Sequence, residues 1–279
     1  MKKVIIIIIC LTLLIGCMGI ENRDATNKEI DIRIGCTTYP SSYAQALLLS
    51  VLIERQGYSV EIIQEDINNM YTSLSEGKTD VMLSSFIPSI DSYRISNIAD
   101  SVIDLGSNCR NLSNGIYVPN YSLAGFISEL DFYEEEFRKT IYVCKESNIT
   151  IDETVKMMET YDIQYELVEV DYNQLDSIVS ESIESNEWIA VALWTPNGKI
   201  DKYNLRKLKD TKKVYTNNID AHTIINSNYN NDEIQSIVDK FYIRDNELNE
   251  LINKLYQNNN KKTVIKWLDN NLQVLNRIN

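Results

Sequence analysis

The sequence predicts an α/β protein of two lobes, each built on a parallel sheet with helices on its faces. Three observations carry that expectation. Short apolar strands alternate with helical segments along most of the chain; the alternation pauses near "NGIYVPNY" and restarts; and 279 residues at 44% hydrophobic composition suffice for one large core or two modest ones.

In chain order, "DIRIGCTTY" alternates apolar and polar residues and breaks at a Thr-rich turn. "SSYAQALLLSVLIERQGY" then shows helical apolar spacing, with Ser41 or Ser42 as the candidate N-cap. "SVEIIQED" reads as a second strand, "NNMYTSLSEGK" as a short helix ended near Gly77, and "TDVMLSSFIPS" as a third strand running into a loop at Pro88. A short strand follows at "NGIYVPNY". The second set comprises strand "KTIYVC", helix "TIDETVKMMETYDI" with Thr150 and Glu153 as a capping box, strand "QYELVEV", helix "YNQLDSIVSESIESN" and the buried strand "EWIAVALW". From about residue 214 come one strand, "AHTIINS", and helices "NDEIQSIVDKFYI", "DNELNELINKLYQ" and "NKKTVIKWLDNNLQ". No internal repeat of fixed short period is present.

Charge and cysteines exclude several function classes. Forty acidic against 27 basic residues, spread along the chain, give a formal charge of −13 and argue against a nucleic-acid partner. Residues 1–16, "MKKVIIIIICLTLLIG", carry two lysines and then an apolar run, the pattern of an export signal. Gly16 directly precedes Cys17, and "LLIGC" resembles the bacterial lipobox, in which the cysteine takes a lipid and becomes the mature N-terminus. The expectation is a cell-membrane lipoprotein held on the extracytoplasmic face, with residues 17–29 as a polar tether. Cys36, Cys109 and Cys144 then remain, too few for a paired framework and without CxxC or His-rich spacing, so buried thiols are expected and no metal site. No cofactor motif occurs.

In open α/β sheets ligands bind beyond the carboxyl ends of strands, and three such exits carry an aromatic residue beside a proline. These are Tyr39-Pro40, Phe86-Ile87-Pro88 and Trp194-Thr195-Pro196. Proline stiffens each bend and restricts the residue before it, so each ring is held at a defined angle. Three converging π-faces with no nearby carboxylate form a box suited to a quaternary ammonium ion, which has no N–H to donate. Thr38 and Ser41, beside Tyr39 on the first bend, join the candidate ligand-binding residues.

The residues also carry a family resemblance. "ERQGYSVE", "GKTDVMLSSFIPS", "EWIAVALWTPNG" and "YNLRKLKD", in this order and spacing, resemble the glycine betaine/choline-type substrate-binding lipoproteins of ABC importers, with a likeness running from about 31 to 272. The resemblance implies a two-lobed periplasmic-binding-protein fold, type II-like, with a two-crossing hinge and an interlobe ligand cleft. Lobe 1 would comprise residues 30–116 and 223–279, lobe 2 residues 120–215, with crossings near 116–119 and 217–223. It implies that Trp194 retains the family's box tryptophan, whereas Tyr39 and Phe86 stand where the family has Trp. The family's His and Trp after the second-lobe Pro are replaced by Asn197 and Gly198, and its Gly-rich turn by Ser147, Asn148 and Ile149. Asn148 is either a ligand contact or a turn residue beside the following helix, and Asn197 is carried as a candidate contact.

The reading implied is a monomeric extracytoplasmic solute receptor for a quaternary ammonium compound, delivering to an ABC permease and its ATPase by binding and lobe closure, with a role in osmoprotection. No serine elbow, phosphate loop or His/Cys/Asp arrangement suggests an enzyme. The departures at the ligand positions leave an alternative, a diverged surface interaction or sensory lipoprotein on the same fold. His222 is assigned a hinge or hydrogen-bonding role.

Overall fold

Ile32, Ile34 and Cys36 recur at alternate positions and are all buried, which makes β1 (Ile32–Cys36) the centre of the first parallel group, flanked by β2 (Val60–Gln64) and β3 (Val81–Phe86). The computed structural model describes residues 29–278, with 89 and 146 excepted. The expected signal 1–16, the lipid-bearing Cys17 and all but the last residue of the tether lie outside the described residues.

Helix α1 (Pro40–Arg55) crosses from β1 to β2, and α2 (Ile67–Ser75) from β2 to β3. The α1 helix starts at Pro40 with Tyr39 as its N-cap and no side-chain cap, so neither Ser41 nor Ser42 caps it. Proline fits the first helical position because its missing N–H has no partner to lose there. Ser42 instead accepts the Thr37 N–H at 3.0 Å, tightening the bend at the end of β1. Asp66 caps α2 by accepting from the N–H groups of Asn68 and Asn69. Beyond Pro88 the chain forms a helix, α3 (Ser92–Ile98), where the sequence suggested only a loop.

The sheet is mixed rather than wholly parallel. A single 18-residue strand, β4 (Val102–Pro119), replaces the short strand expected at "NGIYVPNY", and β9 (Asn217–Asn226) runs antiparallel to both β3 and β4. The register between β4 and β9 shifts four times, with Gly106 (φ 97°), Asn111 (φ 65°) and Asn218 (φ 61°) in the left-handed region. Such irregularities let a long strand bend and twist without ending, so the Gly- and Asn-rich stretch that looks like a break is a strand with bulges.

The second parallel group is β5 (Thr140–Cys144), β6 (Glu166–Val170) and β7 (Ala190–Trp194), joined by α4 (Asn148–Tyr161) and α5 (Tyr172–Glu184). After β7 come the short α6 (Gly198–Lys202) and β8 (Leu205–Lys207), and after β9 the helices α7 (Asp232–Asp239), α8 (Asp245–Gln257), α9 (Lys261–Asn270) and α10 (Leu272–Ile278). The strand order is β2-β1-β3-β9-β4-β7-β5-β6, with β8 on β4.

Each half of this sheet is covered on both faces. In the first half, Val81 and Leu83 join a core with α1, α8 and α9, while Met82 between them points to a smaller core with Met70, Leu74 and Ile224. In the second, Ile141, Val143, Ala190 and Ala192 face one core and Val191 and Leu193 the other. The period of two within each buried strand sorts side chains between layers. Along β4 the core changes between Leu112 and Ile116; on the return, it changes between Tyr215 and Ile219. These are the two lobes of the fold.

Helix α4 departs from the expected cap. It begins at Asn148 with Ser147 as N-cap and no side-chain cap; Thr150 shares a hydroxyl hydrogen bond of 2.7 Å with Ser147. Glu153 turns away to accept from Asn114 Nδ2 at 2.9 Å and the Thr216 N–H at 3.0 Å, one donor on β4 and the other directly before β9, on the two segments joining the halves. Cys36, Cys109 and Cys144 are buried and none is bridged. Among the described residues no helix is long and apolar enough to cross a membrane.

Candidate functional site

The exits of β1, β3 and β7 point toward one place. A cavity of about 140 Å³ lies between the halves of the sheet, lined from the first by Tyr39, Ser41 and Phe86 and from the second by Asn148 and Trp194. An apolar cavity of roughly 150 Å³ takes up a molecule the size of benzene, so this space suits a compact ligand of under a dozen heavy atoms.

Trp194 ends β7, whose preceding residues are buried; with β5 and β4 on either side, the strand carries the indole to the cleft edge. Its ring meets Tyr39 edge-to-face, centroids 5.4 Å apart at 72°, and is backed by Tyr172 at 6.3 Å and 45°. The backbone behind it is fixed by Thr195, whose N–H donates to the Ser113 carbonyl at 2.8 Å while its hydroxyl accepts the Ser113 N–H at 3.0 Å. Phe86 is held by the turn after β3, where its carbonyl accepts from the N–H groups of Ile90 and Asp91 and its own N–H donates to Asp91 Oδ2 at 2.8 Å.

Asp91 corrects the expectation of a box without a carboxylate. It lines the cavity, is 2% exposed, and accepts a second bond from Arg94 Nη1 at 2.8 Å. Burial holds its carboxyl above the usual carboxylate range, against the opposing pull of the Phe86 N–H and Arg94. Arg94 lines the same cavity, its guanidinium 4.5 Å over the Tyr93 ring. Neither residue is a candidate from sequence, where the stretch past Pro88 looks like a loop; the acid–base spacing of three in "DSYR" is the signal that marks this short helix face.

Two candidates lie elsewhere. Thr38 is exposed and faces a separate surface depression with Pro40, Tyr43 and Tyr256, whereas Thr37, one residue earlier, lines the cavity. The Thr37 hydroxyl is buried and finds no hydrogen-bond partner among the described residues. Asn197 is buried outside the cavity as the N-cap of α6, accepting the Lys199 N–H at 3.2 Å. Asn197 thus serves the start of the helix. His222 sits on β9 with Nδ1 2.9 Å from Asp104 Oδ1, a cross-strand hydrogen bond away from the cavity. Among the described residues no group of three His, Cys, Asp or Glu side chains is placed to hold a metal ion.

Residues 30–270 match the family model OpuAC, the substrate-binding domain of ABC-type glycine betaine transport systems. Several solved structures share the fold. Lactococcal OpuAC in its closed, glycine betaine-bound conformation matches with a TM-score of 0.77 at 19% identity, over 90% of this chain and 100% of that one. The glycine betaine, L-proline-binding protein ProX of Borrelia burgdorferi matches at 0.73 with 25% identity, over 88% and 96%. An ABC-transporter choline-binding protein in complex with choline matches at 0.70 with 18% identity, over 88% and 89%.

Proposed function

This chain belongs to the OpuAC family of substrate-binding domains of ABC-type glycine betaine transport systems, and we propose that it is an extracytoplasmic receptor that holds a quaternary ammonium compound in the cavity at Trp194. The observation that carries the proposal is the meeting of Tyr39 and Phe86 from one lobe with Trp194 from the other around a space of about 140 Å³. An ammonium ion bearing only methyl groups gains nothing from hydrogen-bond acceptors but is attracted to the negative faces of rings, more so once water is excluded. Polar groups lining the cavity, including the Thr37 hydroxyl, Ser41 and Asn148, are available to the rest of the ligand.

The cycle is binding and closure, not turnover. Lobe 1, residues 30–116 and 223–279, would close on lobe 2, residues 120–215, about crossings near 116–119 and 217–223. The change of core between Leu112 and Ile116 along β4 and between Tyr215 and Ile219 on the way into β9, with left-handed Asn111 and Asn218 close by, supports bending just before residue 116 and close to residue 217. An ABC permease and its ATPase would receive the ligand, and lipid on Cys17 would hold the monomer at the membrane. The space left between the rings favours this receptor over a diverged surface protein with a filled cleft.

Calorimetric titration of residues 18–279, which retain the compact unit Asp31–Asn279 with its own cores, tests the proposal against glycine betaine, choline, carnitine and proline betaine. Micromolar binding of at least one, weakened more than a hundredfold in Trp194→Ala, is expected. Silence toward all four, or an unchanged Kd in the variant, would overturn it.

A further inference from the structure

We infer that Arg94 receives a carboxylate of the ligand, so that the cleft prefers a zwitterionic quaternary ammonium carboxylate over a cation whose polar end is only a hydroxyl. The inference rests on the receptor reading above and adds which ligand class the site selects.

Asp91 and Arg94 are the only charged side chains lining the cavity among the described residues. Both Asp91 oxygens are engaged, Oδ2 by the Phe86 N–H and Oδ1 by Arg94 Nη1, each at 2.8 Å. The carboxylate is therefore already committed to the turn that presents Phe86. Arg94 is not used up in the same way. Its Nη1 serves Asp91 and its Nε donates to Asn68 Oδ1 at 3.3 Å, while its Nη2 amino group has no acceptor among the described residues. A guanidinium carries five N–H donors in a planar fork that matches a carboxylate, and it stays charged at any pH the protein meets.

Charge balance then separates the two ligand classes. The Asp91–Arg94 pair is neutral as a unit, so a simple cation entering beside it brings an unpaired positive charge into a partly desolvated space that already holds a guanidinium. A zwitterion brings its own anion, which takes the unused Nη2 donors while the ammonium group rests on the rings. Neutral hydroxyls such as Thr37 and Ser41 serve either polar end and give no such preference. A charge-assisted hydrogen bond in this setting changes affinity by about ten- to hundredfold.

The test is titration of residues 18–279 with glycine betaine, with its methyl ester, which keeps the cation and removes the anionic charge, and with choline. The variants are Arg94→Gln and Arg94→Lys, each checked for native thermal unfolding. Expected are tighter binding of glycine betaine than of choline or the ester by at least tenfold, collapse of that ratio in Arg94→Gln, and partial recovery in Arg94→Lys. If Arg94 merely braced Asp91 and Phe86, Arg94→Gln would weaken all three ligands in proportion and leave the ratio intact, which would overturn the inference. So would equal binding of glycine betaine and its ester by the unaltered protein, a result that needs no variant to fold. Binding of choline alone would sustain the receptor and overturn the carboxylate anchor; binding of none would remove both.

Discussion

Cys36 and Cys109 show how position fixes the chemistry of a side chain. Burial pushes both thiols up to about 12, so at pH 8 only about one molecule in ten thousand carries either thiolate, the species that reacts. Iodoacetamide at pH 8 should leave native residues 18–279 unmodified over an hour and label Cys36, Cys109 and the equally buried Cys144 once denaturant is added; rapid native labelling would reveal local opening of their strands. Trp194, Tyr39 and Phe86 were readable because an aromatic at a strand exit beside proline is a local pattern. Thr37 lines the cavity and Thr38 faces away from it, a distinction hidden in the sequence because the end of a strand cannot be placed to one residue from periodicity, and each step turns the side chain over. Asn197 lies outside the cavity as the cap of α6, a role that depends on where that helix begins and that periodicity does not fix.

At the level of elements, α6 carries a lysine where a short surface helix would not be expected to bury one. Lys199 is 0% exposed, with Nζ 3.2 Å from Asp176 Oδ1 and 3.4 Å from the centre of the Tyr172 ring. Burial lowers its pKa from 10.5 to about 8, with Asp176 opposing the shift. The unfolded chain therefore holds more protons than the folded one between about pH 8 and 10.5, and this group's contribution to stability rises across that window and is lost as pH falls through 8. Compared with Lys199→Met, which leaves Asp176 its bond to Lys202 at 2.8 Å, the natural protein should gain about 2 kcal/mol of relative stability between pH 7 and 10. Urea unfolding of both proteins at the two pH values measures it; parallel profiles would show that the lysine is not desolvated. No periodicity announces such a residue. The same limit applies to β4, whose bulged middle has the composition of a turn, whereas β1, β3, β5 and β7, with continuous apolar runs between turn residues, were readable because sequence and burial agree there.

Across the whole molecule, the lobes meet at a second place besides the cavity. The first residue of α6, Gly198, lies against α8, and a Cβ added there would stand 2.4 Å from a Tyr256 ring carbon, 2.8 Å from Ile252 Cγ2 and 2.9 Å from Asn253 Oδ1. Only a glycine lets the helices approach this closely. Around it, the amides of Asn249 and Asn253 donate to Asp201, and the hydroxyls of Tyr172 and Tyr256 are hydrogen-bonded to each other. Since α6 follows directly on Trp194 while α8 is packed into the core beneath β1 through Leu248, Leu251 and Ile252, this contact ties the ligand-bearing end of one lobe to the body of the other. A methyl group inserted here would be relieved by opening the lobes rather than by disturbing either core. Overpacking of this kind costs about 1–3 kcal/mol, and a cost confined to the closed state appears in ligand affinity at tenfold per 1.4 kcal/mol. Gly198→Ala should accordingly melt without ligand within about 2 °C of the natural protein, yet bind its ligand about tenfold more weakly and show less ligand-induced compaction in small-angle scattering. Unchanged affinity with full compaction would mean that the α6–α8 contact plays no part in closure; a large loss of melting temperature without ligand would place the contact in the fold itself rather than in the closing motion.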